Sequence, residues 1–317
     1  MELIRGIHNI KHAHHGCVLT IGKFDGVHLG HQAVLANLVA KAKALSLPSV
    51  VMVFEPQPEE VFAPQQAPAR LSRLRDKYNA LKAVGIDRLL CVHFSHKFAA
   101  QSPSQFVHEL LLNKLGVRFL VVGDDFRFGF KRSGDFAYLQ KAAVEEGFDV
   151  VSTQSFRVDN CRISSTAIRD ALERGDFKAA QSMLGRPYSI SGKVVHGEKN
   201  GRTIGFPTAN ILLKRHKAPL HGVFAVHVSI DGEQYRGVAN LGNRPTLSGS
   251  RLQLETHIFD FRGDLYGKRL KVEFIDKLRN ESRFENFAAL KQQISRDAER
   301  AKAVLVNYDK KMEDINE

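Results

Sequence analysis

Short apolar runs and helical repeats alternate along the first half of the chain. Residues 18–21, 50–54, 89–94, 119–122 and 150–152 form apolar runs of strand length. Between the first two, Val34, Leu35, Leu38, Val39, Ala42 and Leu45 recur at steps of three and four, which marks one apolar helix face. Another helix announces itself with Ser102 as N-cap, Pro103 at the first helical position and Gln105 in the capping-box position. Phe106, Val107, Leu110 and Leu111 continue it and Gly116 closes it. This alternation predicts parallel strands joined by helical crossovers, an α/β, doubly wound, Rossmann-like sheet. Two shorter helices follow, one after Ser165 ending at Gly175 and one after Asp176 ending at Gly185.

Beyond Gly185 the period changes to two. Alternating segments at 191–195, 223–230, 235–239, 252–259 and 270–274, separated by glycine-rich turns, predict an antiparallel barrel or sandwich. The domain boundary is expected near Arg186, giving domains 1–185 and 186–317. Phe284, Phe287, Leu290, Ile294, Ala298, Ala301 and Leu305 form a final stripe, the mark of a terminal helix packed by one face. Alanine in its second half disfavours a coiled-coil partner. The residues from about Lys310 are expected to fray.

Composition narrows the function. A chain of 317 residues accommodates two cores. A net charge of +12 and a pI near 9.6 suit phosphate-bearing partners, nucleic acid or an anionic surface. Lys and Arg are interspersed with Asp and Glu, with no block of five or six like charges, so small phosphorylated ligands are favoured over a polymer. Cys17, Cys91 and Cys161 form no C-x-x-C pattern, which points to a reducing setting without a zinc site. No apolar stretch approaches a membrane span, so a soluble cytoplasmic protein is expected. Nothing indicates an oligomer.

The chemistry begins at 22–32, GKFDGVHLGHQ, where strand should turn into helix. Backbone amides and the helix dipole converge there on an anion site, and Gly22, Phe24 and Asp25 of the same turn are candidate cofactor-binding residues. His28 and His31 have three readings. A core role needs a buried setting that a glycine turn does not usually provide, and a metal role lacks a third ligand. Contact with a phosphate is favoured, stabilising charge at the α-phosphate during in-line displacement. A second helix start, RISSTAIR at 162–169, offers Ser164, Ser165, Thr166 and Arg169. Alone it reads as an N-cap beside a surface arginine; with the first turn it reads as a second phosphate clamp.

In the second half, 197–210 reads GEKNGRTIGFPTAN. It is not a Walker A loop, since Gly197 and Gly201 enclose three residues and Arg202 stands in place of Lys. Thr208 and Asn210 supply a hydroxyl and an amide on one face of an extended segment, suited to co-ligating Mg²⁺ held by nucleotide phosphates. In 252–261, LQLETHIFDF, Leu252, Leu254, Thr256 and Ile258 share one face and Glu255, His257 and Phe259 the other. A lone Glu255 reads as a solvent-facing strand residue; beside the other motifs it reads as a general base at the γ-phosphate of ATP.

The G-x-F-D-G-x-H-x-G-H turn and the S-S-T-x-I-R helix start resemble the paired signatures of the nucleotidyltransferase superfamily. Segments 51–58, 70–87 and 121–135 resemble its flavin branch, the FMN adenylyltransferase module of prokaryotic bifunctional riboflavin kinase/FAD synthetases. GRTIGFPTAN, GVANLGNRPT and LETHIFDF with GDLYGK resemble riboflavin kinase, so the resemblance covers nearly the whole chain in the order of the bifunctional enzymes. It implies a Rossmann-like nucleotidyltransferase domain, then an antiparallel β-barrel with a terminal helix. His28 and His31 would contact ATP phosphates with Ser164, Ser165, Thr166 and Arg169, while Phe54, Asp125 and Phe126 would face the flavin. Thr208 and Asn210 would serve Mg-ATP, Glu255 would be the catalytic base, and the region of Arg279, Glu281 and Phe284 would help hold the flavin. The implied substrates and products are ATP, riboflavin, FMN and FAD. Thr256 stands where the family usually has Val; facing away from Glu255, it is expected to matter little.

Overall fold

The computed structural model describes residues 1–154, 163–197, 205–213, 217–246 and 249–316. Arg162 and the glycine-rich stretch 198–204 lie outside them. By contacts the chain groups into two compact units, Met1–Pro68 with Ser72–Ile163, and Ala69–Leu71 with Ser164–Glu317.

The first unit contains β1 (Glu2–Arg5), β2 (Cys17–Ile21), α1 (Leu29–Ala44), β3 (Ser49–Glu55), α2 (Pro58–Phe62), α3 (Leu74–Val84), β4 (Arg88–His93), α4 (His96–Ala99), α5 (Pro103–Gln105), β5 (Val117–Val122), α6 (Phe136–Glu146) and β6 (Asp149–Ser152). Its six strands form one sheet in the order β1-β4-β3-β2-β5-β6, parallel at every pairing. Leu19, Met52, Leu90 and Leu120 pack on one face with Phe106 and Leu111. Val18, Val51, Leu89 and Val121 pack on the other with Leu35, Leu38 and Leu81. Burial on both faces explains why these strands read as unbroken apolar runs. The capping box at Ser102 and Gln105 is present, but beyond α5 the helix runs in π-helical turns over Phe106–Lys114. β1, too short to show a period, was not anticipated; only Ile4 of it is buried.

Cys17 lies in the core, and burial pushes its thiol up to about 12. Native protein at pH 8 should leave Cys17 unalkylated by iodoacetamide, with the adduct appearing only after denaturation. Peptide mass spectrometry reads this directly, and rapid native labelling would contradict it.

The second unit contains α7 (Ser165–Arg174), α8 (Phe177–Leu184), β7 (Ser189–Val195), β8 (Ala209–Leu212), β9 (Gly222–Ile230), β10 (Glu233–Thr246), β11 (Gly249–Ile258), β12 (Arg269–Arg279) and α9 (Phe287–Asn316). The strands close into a barrel, β10-β11-β8-β7-β12-β9, so of barrel and sandwich the barrel is found. Helices α7 and α8 group with the barrel rather than with the residues before them. Phe177 meets Phe224 of β9 edge-on at 5.8 Å, and Gln181 is bonded to Tyr308 of α9 at 3.3 Å.

The buried end of the α9 stripe is Ala298, Ala301 and Leu305, packed on Val223, Ala225, Val238 and Leu278. The expectation of fraying from Lys310 is corrected, since α9 continues to Asn316. Asp309 accepts from Arg236 Nε at 2.9 Å and Nη2 at 2.6 Å and pairs with His227 Nε2 at 3.1 Å, which ties the last turns to β9 and β10.

Candidate active sites

In the first unit the strand order reverses at β2, which has β3 on one side and β5 on the other. The crevice outside the carboxyl ends of such strands is where doubly wound sheets hold ligands. The turn after β2 places Gly22, Phe24, Asp25 and His28 there. Asp25, 1% exposed, accepts from the Ser72 amide at 3.0 Å and the Ser72 hydroxyl at 3.1 Å, and that hydroxyl also takes the Gly26 amide at 3.1 Å. Asp25 thus braces the turn.

His28 is the N-cap of α1, with Nδ1 accepting from the His31 amide at 3.2 Å. That bond assigns the proton of a neutral ring to Nε2. The two rings stack at 3.6 Å, and Phe24 lies 5.0 Å from His31. His28 is only 3% exposed, so the premise that a glycine turn gives no buried setting is corrected. Gly30 lies close against the ring, since a Cβ there would stand 3.3 Å from His28 Nδ1, a tight contact.

At the same sheet edge Phe54 and Phe126 prove to be joined by rings. Phe54 to Phe98 is 5.8 Å, Phe98 to Phe106 6.4 Å, Phe106 to Phe128 4.9 Å and Phe128 to Phe126 5.6 Å. Phe62, 57% exposed at the end of α2, meets Phe94 edge-on at 5.7 Å. Sequence reasoning missed Phe62, Phe94, Phe98, Phe106 and Phe128 as one cluster. The available signal was phenylalanine recurring after successive strands. Asp125 is exposed, its carboxylate folded back over Gly123.

In the second unit Ser164 caps α7, its hydroxyl accepting from the Ala167 amide at 3.2 Å. Ser165 and Thr166 open that helix, and Arg169 Nε donates to the Ala69 carbonyl at 2.5 Å.

On the barrel Asn210 of β8 stands directly opposite Glu255 of β11, which stands opposite Asn240 of β10. Directly opposed residues share a face, so the three form a polar row across adjacent strands. Gln253 Nε2 donates to Asn210 Oδ1 at 2.6 Å and to Glu255 Oε1 at 3.2 Å, linking the expected metal ligand to the expected base. Neither Gln253 nor Asn240 was singled out from sequence, although alternation puts Gln253 on the face of Glu255. Asn240 Nδ2 donates to Glu281 Oε1 at 3.3 Å.

His257 Nδ1 bonds the Pro207 carbonyl at 2.8 Å and so anchors the segment carrying Thr208; burial pulls its imidazole below the usual range. Arg279 is committed to structure. Its Nε reaches both oxygens of Asp297, at 3.1 and 2.9 Å, and Nη1 donates to the Asn280 carbonyl at 2.9 Å. Any part Arg279 plays toward flavin runs through the loop it holds.

Beside the polar row a cavity of about 450 Å³ is lined by Pro207, Thr208, Thr256, Phe261, Asp264 and Tyr266 among others. Thr256 does face away from Glu255, yet it reaches this cavity, and among the described residues its buried hydroxyl has no hydrogen-bond partner. An unpaired buried hydroxyl costs about 1–3 kcal/mol. Thr256→Val should therefore raise the barrel's calorimetric melting midpoint while leaving the turnover of FMN formation within about twofold, as expected for a group outside the polar row. A raised KM for ATP would show instead that the nucleotide supplies the missing partner.

Among the described residues no group of three or more His, Cys, Asp or Glu side chains is placed to hold a metal, and no helix is long and apolar enough to cross a membrane. Thr208 and, two residues on, Asn210 offer two neutral oxygens, and a carboxylate, that of Glu255, stands opposite Asn210 across the strands. Such a set does not cage a bare cation but fits Mg²⁺ that arrives on nucleotide phosphates.

Comparison with known proteins finds two families in series along the chain. The FAD synthetase family model matches residues 10–167, and the riboflavin kinase model matches 184–305. The bifunctional riboflavin kinase/FMN adenylyltransferase of Escherichia coli K12 is 54% identical over 299 residues, 94% of this chain and 96% of its own. Its Haemophilus influenzae counterpart is 52% identical over 304 residues, 96% of this chain and 99% of its own. A solved structure titled macrolide-efflux protein, from Streptococcus pneumoniae, matches with a TM-score of 0.74 at 30% identity, covering 94% of this chain and 97% of that one. With two family models in series and relatives aligned nearly end to end, the chain belongs to the bifunctional riboflavin kinase/FMN adenylyltransferases.

Proposed function

We infer that the family's two activities run on separate residue sets, with adenylyl transfer assigned to residues 1–185 and the kinase to 186–317. As riboflavin kinase, the chain moves the γ-phosphoryl group of ATP to riboflavin, giving FMN and ADP. As FMN adenylyltransferase, it joins FMN to AMP, giving FAD and pyrophosphate.

In the kinase reading Glu255 takes the proton of the riboflavin 5′-hydroxyl as it attacks, and Gln253 orients the carboxylate toward Asn210. Thr208 and Asn210 would hold Mg²⁺, which when bound would supply Lewis-acid neutralisation of charge on the transferring group. Thr208 also lines the neighbouring cavity. The observation that supports this reading most is the pairing of Asn210 with Glu255 in strand register, joined by one glutamine.

In the adenylyltransferase reading His28 and His31, at the dipole end of α1, donate to the α-phosphate and bridging oxygens as charge grows there. Ser164, Ser165, Thr166 and Arg169 bind phosphate oxygens. The phenylalanine cluster running from Phe54 to Phe126, with Asp125, offers an apolar face for the isoalloxazine. Neither half needs a covalent intermediate, since positioning and charge stabilisation suffice for phosphoryl transfer.

The partners proposed are small molecules in the cytoplasm, without nucleic acid. Incubation with riboflavin, ATP and Mg²⁺ followed by chromatography tests the whole reading: FMN and then FAD must appear. Failure to convert supplied FMN removes the first half, and salt-sensitive oligonucleotide binding that survives saturating ATP and flavin removes the small-molecule restriction.

A further inference from the structure

The turn that presents His28 and His31 holds an unfavourable backbone. Phe24 sits at φ 45° and Val27 at φ 41°, in the left-handed region that a β-branched side chain rarely enters. Such conformations persist only where the surroundings over-determine them. Ser72, two residues before α3, and Lys77, in its first turn, do so here. Ser72 takes the Gly26 amide and donates to Asp25, and Lys77, 2% exposed, reaches from α3 to donate Nζ to the Lys23 carbonyl at 2.5 Å.

Burying a lysine amine is costly unless it is hydrogen-bonded, and a methionine would fill much the same space without that cost. The amine's placement under Lys23 therefore argues for what it holds rather than for what it fills. We propose that Lys77 is a positioning residue for adenylyl transfer, fixing the Lys23 carbonyl from beneath and, with Ser72, holding the strained turn that aims His28 and His31 at the ATP phosphates. It touches no reacting atom. The proposal rests on the phosphate assignment of the two histidines.

The test uses the full chain and measures FAD formation from supplied FMN and FMN formation from riboflavin separately, well below the melting transition. Lys77→Met should lower kcat for FAD formation about 10- to 100-fold, with KM for ATP and FMN within about threefold, because misplacement degrades transition-state contacts more than ground-state binding. FMN formation should be unchanged. Lys77→Arg, which restores a donor, should recover most of the loss. Ser72→Ala, which keeps Lys77, should lower kcat in the same direction by about fivefold.

Undiminished FAD formation in Lys77→Met, or a loss that follows the melting curve and is not recovered by Lys77→Arg, overturns the proposal. His28→Ala, assayed alongside, separates the two failures. If it is inactive while Lys77→Met is fully active, the brace alone is wrong. If it is fully active, the histidine assignment is wrong.

Discussion

Glu255→Gln should lower the turnover of riboflavin phosphorylation by about 100- to 10,000-fold, the usual worth of a positioned general base, while FAD formation from supplied FMN stays within about twofold of wild type. The amide preserves the shape of the carboxylate but cannot take the proton of the attacking hydroxyl. Its environment on β11 is otherwise retained, since Leu254 and Thr256 on either side point to the opposite face of the strand. Gln253 now faces an amide in place of the carboxylate oxygen it reached at 3.2 Å, so a modest rise in KM for ATP through Asn210 should accompany the loss of turnover. Product analysis by chromatography reads both reactions from one preparation. Loss of both activities would indicate misfolding, and retention of FMN formation would remove Glu255 from the role of base.

The elements that were legible in sequence are those whose environment is uniform along their length. The core strands of the parallel sheet, buried on both faces, write continuous apolar runs, and β11, buried on one face, writes a strict alternation in which Leu254 and Thr256 are inside and Glu255 is not. What stayed hidden depends on partners distant in sequence. The length of α9 depends on Asp309 meeting Arg236 and His227, and the grouping of α8 depends on Phe177 meeting Phe224. The π-helical turns after Gln105 keep the same apolar positions that an α-helix would use, so spacing alone does not distinguish them.

The same holds at the sites. Motif spacing picked out Glu255, Thr208 and Asn210, but the glutamine that ties Glu255 to Asn210 emerges only when β8 lies beside β11. Arg279, which the resemblance places in a region that helps hold the flavin, is in the fold paired with Asp297. Lys77 falls within an ordinary amphipathic repeat, and nothing in that repeat says that its amine ends beneath Lys23.

His28→Ala should produce the reverse of the Glu255 variant: FMN accumulates from riboflavin while FAD formation falls about 100- to 1,000-fold, the usual cost of removing one preorganised donor from a site of developing charge. The substitution has a second effect that must be separated from the first. His28 caps α1 through Nδ1, and losing an N-cap acceptor costs about 1 kcal/mol of stability. His28→Asn resolves the two, since asparagine is among the best N-caps and its side-chain oxygen can accept from the His31 amide, but it is too short to place a donor where Nε2 stands. The asparagine variant should melt near wild type and remain deficient in FAD formation. Recovery of both stability and activity would reduce His28 to a cap and leave phosphate binding to the backbone amides and His31. Because Nδ1 accepts from the His31 amide, a contact from the neutral His28 ring to a phosphate oxygen would be made through the Nε2 proton, the group that the asparagine variant lacks.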